Sequence, residues 1–316
     1  MNIHKLIDQY IDFCHSLGEL CDRKARHLQS FGRRFNSSMD VADISTEDIN
    51  AFLFTCREIT NTWHNKHSAL AGLFRYAISR EYITITPLSN IIPKRPPAFI
   101  PYIYSRDELR CLLDATNSYQ RHRSTMEPVT LRTILMILYG AGLRMGEALT
   151  LRRADVDFKK SLIMIHHAKF FKTRLVPIGS VLVSTLRKYS TRQPLNAEIN
   201  NDSTFFTMRT GEPVKENTLQ CSFRRLCNHA GIRRSDAAKY EPRLQDLRHS
   251  FAVHRLISWY KQGMDVQLQL PHLSVYMGHV SIASTQVYLK MTTELLQEAS
   301  MRFELYALNE EHENEE

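Results

Sequence analysis

The spacing of apolar residues predicts helices along the first 85 residues of the chain. Leu6, Ile7, Tyr10 and Cys14 recur three or four positions apart, which places them on one face of a helix. Ser45 precedes an acidic turn and an apolar run, the pattern of a capped helix start. The predicted helices cover residues 4–17, 22–34, 45–58 and 64–82.

A proline-rich stretch interrupts this helical pattern. Five prolines lie between Pro87 and Pro101. Proline disrupts helix interiors and central strands, so we expect an extended linker here. The predicted organisation is a helical domain over 1–86, a linker over 87–104, a second domain over 105–305 and an acidic tail over 306–316.

Beyond the linker the pattern mixes helices with a small amount of strand. Ser105 begins a predicted helix, and the apolar run PVTLRTILMILYG predicts another that ends at Gly140. The β-branched runs SLIMIHH and TRLVPI flank AKFFK, which predicts a two-stranded ribbon with a basic tip. The remainder is predicted to be helical except around Pro242 and Pro271. The expected class is mostly α with a small antiparallel sheet, an α+β fold.

Composition sets the class of protein. A chain of 316 residues with 43% apolar and 23% charged residues is long enough for two globular domains. Its longest nearly apolar stretch, residues 134–143, is too short to span a membrane. The opening MNIHKLIDQYIDF does not resemble a signal or transit peptide. We therefore expect a soluble, cytoplasmic protein that has no membrane partner.

The net charge of +8 is unevenly distributed. Residues 1–104 hold 12 Lys/Arg and 10 Asp/Glu, whereas residues 105–305 hold 29 and 18. The last eleven residues contain five Glu and no Lys or Arg. A basic segment of this size indicates a polyanion partner, most often nucleic acid, although charge alone is equally compatible with a solvated basic surface.

The six cysteines give no metal motif. The nearest approach is Cys221, Cys227 and His229, which lack zinc-ligand spacing and a second ligand pair. There is also no Walker A loop and no H-E-x-x-H sequence. We therefore expect the cysteines to be reduced thiols. We also expect the protein to need neither a metal nor a nucleotide cofactor.

Four separated motifs carry a family resemblance. They are GAGLRMGEALTL around Arg144, AKFFKTRLVPI around Lys169, QDLRHSFA around Arg248, and MGHVSIASTQVYLK with His279 and Tyr288. In this order and spacing they resemble the tyrosine site-specific recombinases, or phage integrase family, of the Xer-like and mobile-element type. The resemblance implies a DNA strand-exchange enzyme that works through a 3′-phosphotyrosine intermediate. It also implies that residues 1–86 are a helical DNA-binding (core-binding) domain and that residues 105–305 are the catalytic domain.

The resemblance also implies the catalytic roles. Arg144 and Arg248 would clamp the scissile phosphate, a task suited to the planar, permanently charged guanidinium. Tyr288 would be the nucleophile, with His279 beside it, and Lys169 would be the general acid that protonates the leaving oxygen.

Two supporting residues accompany this set. Lys172 is the rival to Lys169, but the family's K-x-x-K-x-R order favours the first lysine. Glu147, three residues after Arg144, can lie on the same helical face and orient the cluster through an ion pair. The alternative for Glu147 is a solvated surface carboxylate.

Helical geometry tests the last motif. His279 and Tyr288 are nine residues apart, so on one continuous helix they would point about 180° apart. They can share a site only if the helix breaks between them. Gly278 and the cap candidates Ser281 and Ser284 supply such a break.

Gln245 departs from the family pattern. The family usually has a histidine there, three residues before the second arginine, which accepts or relays the proton of the tyrosine. The Gln245 amide can bond a phosphate oxygen but cannot take up a proton near neutral pH. His249 is turned about 100° from Arg248, so we expect it to be a poor substitute.

The resemblance implies double-stranded DNA with inverted-repeat recombination sites as the partner, and hence a nucleoid-associated protein. The family works as a tetramer on two sites, so the resemblance implies a synaptic homotetramer or a heterotetramer with sister recombinases. The run TTELLQEASMRFELYAL is the candidate helix for contact with a neighbouring protomer. The alternative function is a DNA-binding accessory or regulatory protein on the same fold, with catalysis impaired by Gln245.

Overall fold

Contacts divide the chain into two compact units, Met1–Phe99 and Ile100–Glu316. The computed structural model describes residues 1–19, 21–55, 58–97, 99–119, 125–168, 172–192, 200–234, 236, 240–290 and 296–301. Of the helices in these ranges, none is long and apolar enough to cross a membrane.

The first unit is built from helices around its own apolar core. Its α-helices in the described residues are α1 (Ile3–Ser16), α2 (Asp22–Gly32), α3 (Thr46–Leu53) and α4 (Asn61–Ser79). Leu6, Leu28, Leu70 and Leu73 are fully buried in this core. All four predicted helices are present, although α2, α3 and α4 end two, five and three residues earlier than the pattern predicts, and α4 also begins three residues earlier.

The helix start predicted at Ser45 is confirmed. The backbone N–H of Asp48 donates to the Ser45 hydroxyl at 3.2 Å, and the Asp48 carboxylate accepts from the Ser45 N–H at 3.1 Å. This reciprocal pair satisfies two backbone donors that have no partner within the helix. The described residues of 87–104 form neither helix nor strand.

The second unit is mostly helical, with one small sheet. Its helices in the described residues are α5 (Arg106–Tyr119), α6 (Pro128–Gly140), α7 (Met145–Leu149), α8 (Ser180–Ser190), α9 (Glu216–His229), α10 (Leu244–Lys261), α11 (Val266–Met277) and α12 (Ala283–Gln286). Helix α6 packs against α5, α8 and α10. Its side chains Leu131, Ile134 and Ile137 are completely buried, which explains its apolar sequence.

The sheet contains the predicted ribbon. Strands β1 (Val156–Asp157), β2 (Leu162–Ala168) and β3 (Lys172–Pro177) lie in that order and are antiparallel. Ile163 pairs with Val176, and both side chains are completely buried. The short strand β1 was not predicted, because two residues carry no periodicity. The mostly α class with a small antiparallel sheet is confirmed.

One predicted interruption is wrong. Pro271 lies inside α11, which continues to Met277. Pro271 has no N–H to donate to the carbonyl four residues earlier, but the helix retains its buried contacts through Val266, Leu270 and Leu273. Packing of this apolar side outweighs the lost hydrogen bond.

The C-terminal segment is described only in part. Residues 296–301 are helical. The rest of the run predicted to contact a neighbouring protomer, and the acidic tail 306–316, lie outside the described residues.

Candidate active site

Arg144 lies where a glycine turn opens a short helix. Helix α6 ends at Gly140, and Gly142 adopts a φ of 60°. A side chain on Gly142 would also collide with the ring of Phe251. Glycine is therefore required here for both conformation and space. The turn places Arg144 at the N-terminal cap of α7.

The Glu147 carboxylate binds two arginines. It accepts from Arg144 Nη1 at 2.7 Å and from the Arg144 backbone N–H at 2.9 Å. Both of its oxygens also accept from the Arg174 guanidinium, each at 2.9 Å. The predicted ion pair between Arg144 and Glu147 is thus present, and the Glu147 side chain is only 10% exposed rather than solvated.

Burial and hydrogen bonding act in opposite directions on Glu147. Burial favours the neutral acid, but hydrogen bonds and charge from Arg174 and Arg144 hold its pKa at about 2. The carboxylate is therefore ionised at every pH at which the protein would work.

Arg248 is a buried cation on α10. Its side chain is 2% exposed, and its guanidinium donates to the carbonyls of Gly142 and Met277. Its Nη1 lies 3.9 Å from the Glu147 carboxylate. Burial and the nearby charge of Arg144 lower the pKa of Arg248 to about 10, so it remains charged at neutral pH.

The C-terminal end of α11 binds all three arginines. Consecutive carbonyls accept one each: Tyr276 from Arg174 Nε at 3.1 Å, Met277 from Arg248, and Gly278 from Arg144 Nη2 at 2.9 Å. The carbonyls of Ser274 and Val275 accept instead from the N–H groups of His279 and Gly278. A helix end leaves such carbonyls unpaired and carries partial negative charge, which favours bound cations.

The predicted break after α11 is confirmed. Gly278 adopts a φ of 65° and ends the helix, and α12 is followed by a 3-10 helix over Val287–Lys290. The chain reversal brings the rings of His279 and Tyr288 together, stacked with centroids 6.1 Å apart.

A hydrogen bond to Thr285 orients the His279 ring. Its Nδ1 lies 2.8 Å from the hydroxyl of Thr285, which is completely buried. Burial, with the charges of Arg248 and Arg144, lowers the pKa of His279 to about 4. Its imidazole is therefore neutral at neutral pH.

Tyr288 is almost completely buried, with 3% of its surface exposed. Burial raises the pKa of its phenol, and the charges of Arg248 and Arg144 oppose that effect. Its hydroxyl lies 3.1 Å from Nδ1 of His249. The arginine cluster and the phenol therefore occupy one site.

His249 corrects an expectation. Its direction, about 100° from that of Arg248, predicts a poor substitute for the missing histidine, yet its Nδ1 contacts the Tyr288 hydroxyl. The relevant comparison is with Gln245, four residues earlier on α10, because residues four apart are only about 40° apart. Gln245 is half-buried and lines a cavity with Met145 and Gln220.

The two lysines cannot be placed in the site. Lys169 lies outside the described residues. Lys172 opens β3, where its backbone pairs with Ala168 across the ribbon, and its side chain is outside the description. In the described residues, no three His, Cys, Asp or Glu side chains are arranged to hold a metal ion.

The sequence over residues 104–294 matches the phage integrase family. The chain belongs to this family of tyrosine recombinases. The putative integrase/recombinase y4rB of Sinorhizobium fredii is 32% identical over 302 residues, covering 94% of this recombinase and 96% of the relative. The tyrosine recombinase XerA of Thermococcus onnurineus is 29% identical over 217 residues, covering 67% of this chain and 66% of the relative.

Solved structures share the fold of this recombinase. The Tn1549 transposon integrase in complex with transposon right end DNA aligns with a TM-score of 0.66 at 17% identity, covering 97% of this chain and 100% of that one. The XerH recombinase bound to difH substrate, in a pre-cleavage complex, aligns with a TM-score of 0.59 at 23% identity, covering 88% of this chain and 77% of that one.

Arg174 is the site residue that sequence reasoning left without a role. It occupies the last position of the K-x-x-K-x-R order, and this position in the motif is the sequence feature that could have identified it as a site residue. Its side chain is 10% exposed and binds both Glu147 and the end of α11. Arg174 therefore links β3 to two other parts of the site.

We predict that Gly278→Ala destabilises the recombinase by about 2 kcal/mol, because its left-handed φ penalises any side chain. The new Cβ would also lie 2.9 Å from Arg174 Nη1. Denaturant unfolding measures the change. Gly146→Ala is the control, since this glycine lies in α7 with open space around it and should be neutral or slightly stabilising. Equal effects at the two positions would contradict the prediction.

We predict that Glu147→Gln removes part of the pH dependence of stability. The folded-state pKa of Glu147, about 2, lies below its ordinary value. Its contribution of about 3 kcal/mol is therefore present above pH 5 and is lost as the pH falls towards 2. Unfolding free energies at pH 7 and pH 3 should differ less for the variant than for the wild type. Parallel losses in both proteins would show that Glu147 is not the responsible group.

Proposed function

We propose that this recombinase cleaves and rejoins DNA strands through Tyr288, with a 3′-phosphotyrosine intermediate and without metal or ATP. The observation that carries the proposal is that the buried phenol of Tyr288 lies close to the guanidinium groups of Arg144 and Arg248. Family membership supplies the general activity, site-specific DNA recombination. The residue roles rest on the geometry and on the resemblance of the motifs.

The arginines suit the phosphate. A phosphodiester is an anion, and attack on phosphorus gathers further negative charge on its non-bridging oxygens. Arg144 is about one-third exposed, whereas Arg248 is buried beside it, so the cluster has an accessible and an enclosed cation. Preorganised donors of this kind stabilise a developing charge without rearranging during the reaction.

The chemistry exchanges one ester for another. The Tyr288 oxygen bonds to phosphorus, the bond to the 5′ oxygen breaks, and the tyrosine proton leaves to an acceptor. The 5′ oxygen takes a proton from a general acid, for which Lys169 is the proposed residue. A 5′ hydroxyl of another strand then reverses these steps. The phosphotyrosine conserves the ester's energy, so rejoining requires no nucleotide.

Double-stranded DNA with inverted repeats is the proposed partner. The basic charge of residues 105–305 favours it, as do the DNA-bound relatives of the same fold. In this proposal the helices of residues 1–86 form a second DNA-binding domain, joined through 87–104 to the catalytic domain. A synaptic tetramer is the proposed assembly.

Gln245 favours a second function, a DNA-binding accessory protein with impaired catalysis. Arg144, Arg248, His279 and Tyr288 favour the enzyme, because an accessory protein has no need of a buried phenol beside a pair of arginines. The formation of a covalent adduct separates the two functions.

We predict that Tyr288→Phe binds DNA with a Kd within about threefold of wild type, because only the hydroxyl is lost, but forms no covalent adduct. The substrate is a duplex selected from a random library for binding, nicked near the cleavage site to trap the adduct. SDS-resistant protein–DNA complexes are counted. Tyr260→Phe, a partly buried tyrosine elsewhere on α10, is the control and should retain the adduct.

An adduct that persists in Tyr288→Phe, or one that forms only with magnesium, would overturn the mechanism. A wild-type protein that binds the duplex but forms no adduct would favour the accessory function.

A further inference from the structure

We propose that His249 accepts the proton of Tyr288 during attack on the phosphate, in place of the histidine that is absent at position 245. The inference rests on the proposed function, because it concerns the same tyrosine. Its basis is the contact between His249 Nδ1 and the Tyr288 hydroxyl at 3.1 Å. A general base must lie within about 2.6–3.2 Å of the oxygen whose proton it takes.

The fold of α10 fixes this contact. Helix α10 carries Arg248 and His249 on adjacent faces, and Tyr288 packs on the same helix from the 3-10 turn. The rings of His249 and Tyr288 have centroids 5.6 Å apart and are tilted by 53°. The phenol therefore has a cation beside it on one face of α10 and an imidazole on the next.

The two other side chains considered for this role do not fit it. Gln245 has an amide, which cannot bind a proton near neutral pH. His279 directs Nδ1 to the Thr285 hydroxyl at 2.8 Å, and its ring stacks on that of Tyr288. Stacked rings do not place a ring nitrogen in line with a phenolic O–H, whereas the His249 contact joins the nitrogen to the hydroxyl.

The surroundings keep His249 neutral and able to accept a proton. Burial lowers its pKa to about 4. Among the described residues, the charged and titratable groups that face it are Arg243, Asp246 and Arg248, at the N-cap of α10 and within it, and His279 and Tyr288 on the elements packed against it. Asp246 favours the imidazolium, and the two arginines oppose it. A bound phosphate anion would raise the pKa and so strengthen the base.

Each proton in this step has a donor and an acceptor. The proton of the Tyr288 hydroxyl passes to His249 Nδ1 as the phenolic oxygen bonds to phosphorus, and the imidazole becomes an imidazolium. The departing 5′ oxygen receives a different proton, from the general acid. When a 5′ hydroxyl attacks the phosphotyrosine, His249 returns its proton to the phenolic oxygen.

The test compares pH–rate profiles for adduct formation on the nicked duplex. In wild type the base is already unprotonated at neutral pH, so the rate should change by less than about threefold between pH 7 and 9. In His249→Asn, Tyr288 must lose its proton to solvent, because no base remains. That variant should be about a hundredfold slower at pH 7, within the range for general-base assistance, and should gain about tenfold per pH unit.

A second variant tests the role rather than the fold. Adding Gln245→His to His249→Asn should restore at least tenfold of the rate at pH 7 and flatten the profile, since positions 245 and 249 share one side of α10. His272→Asn, at an exposed position on α11, is the matched control and should follow the wild type. Thermal unfolding of each variant checks that it is folded, and His249→Gln replaces any His249→Asn protein that is not.

The results separate the two claims. If the wild type forms no adduct through Tyr288, the proposed function fails and the inference fails with it. If the adduct forms but the His249 variants give a profile parallel to that of wild type, only the inference fails. A steeper profile with recovery by Gln245→His supports it.

Discussion

The end of helix α11 is the constraint on which the site depends. Its last carbonyl groups have no partners within the helix, and three of them accept hydrogen bonds from Arg174, Arg248 and Arg144 in turn. Arg174 comes from strand β3, Arg248 from helix α10, and Arg144 from the turn before α7. One helix end therefore brings together three arginines of which the first and last, Arg144 and Arg248, are 104 residues apart in the sequence, and Gly278 permits this by its left-handed conformation.

Three neighbouring cations would repel one another without a compensating charge. The Glu147 carboxylate supplies it, through bonds to Arg144 and Arg174 and a distance of 3.9 Å to Arg248. The cluster retains an excess of positive charge even so. That excess suits a phosphate anion, and it also favours the phenolate form of Tyr288 against the opposing effect of burial.

The sequence predicted the parts of the site that depend on spacing. The nine-residue spacing of His279 and Tyr288 required a helix break, and helix α11 ends at Gly278. The roles of Arg174 and His249 depend on contacts between distant segments, and local periodicity carries no information about those. The 40° separation of Gln245 and His249, in contrast, follows from helical geometry alone. Pro271 shows the opposite error, because buried packing retained a helix that local chemistry would end.

Mass spectrometry of the trapped DNA–protein adduct tests the central claim most directly. After digestion of both protein and DNA, the account predicts one modified peptide, with a nucleotide attached to Tyr288 through its 3′ phosphate. A link to another residue, or a link through a 5′ phosphate, would contradict the assignment of this phenol as the nucleophile in the arginine cluster.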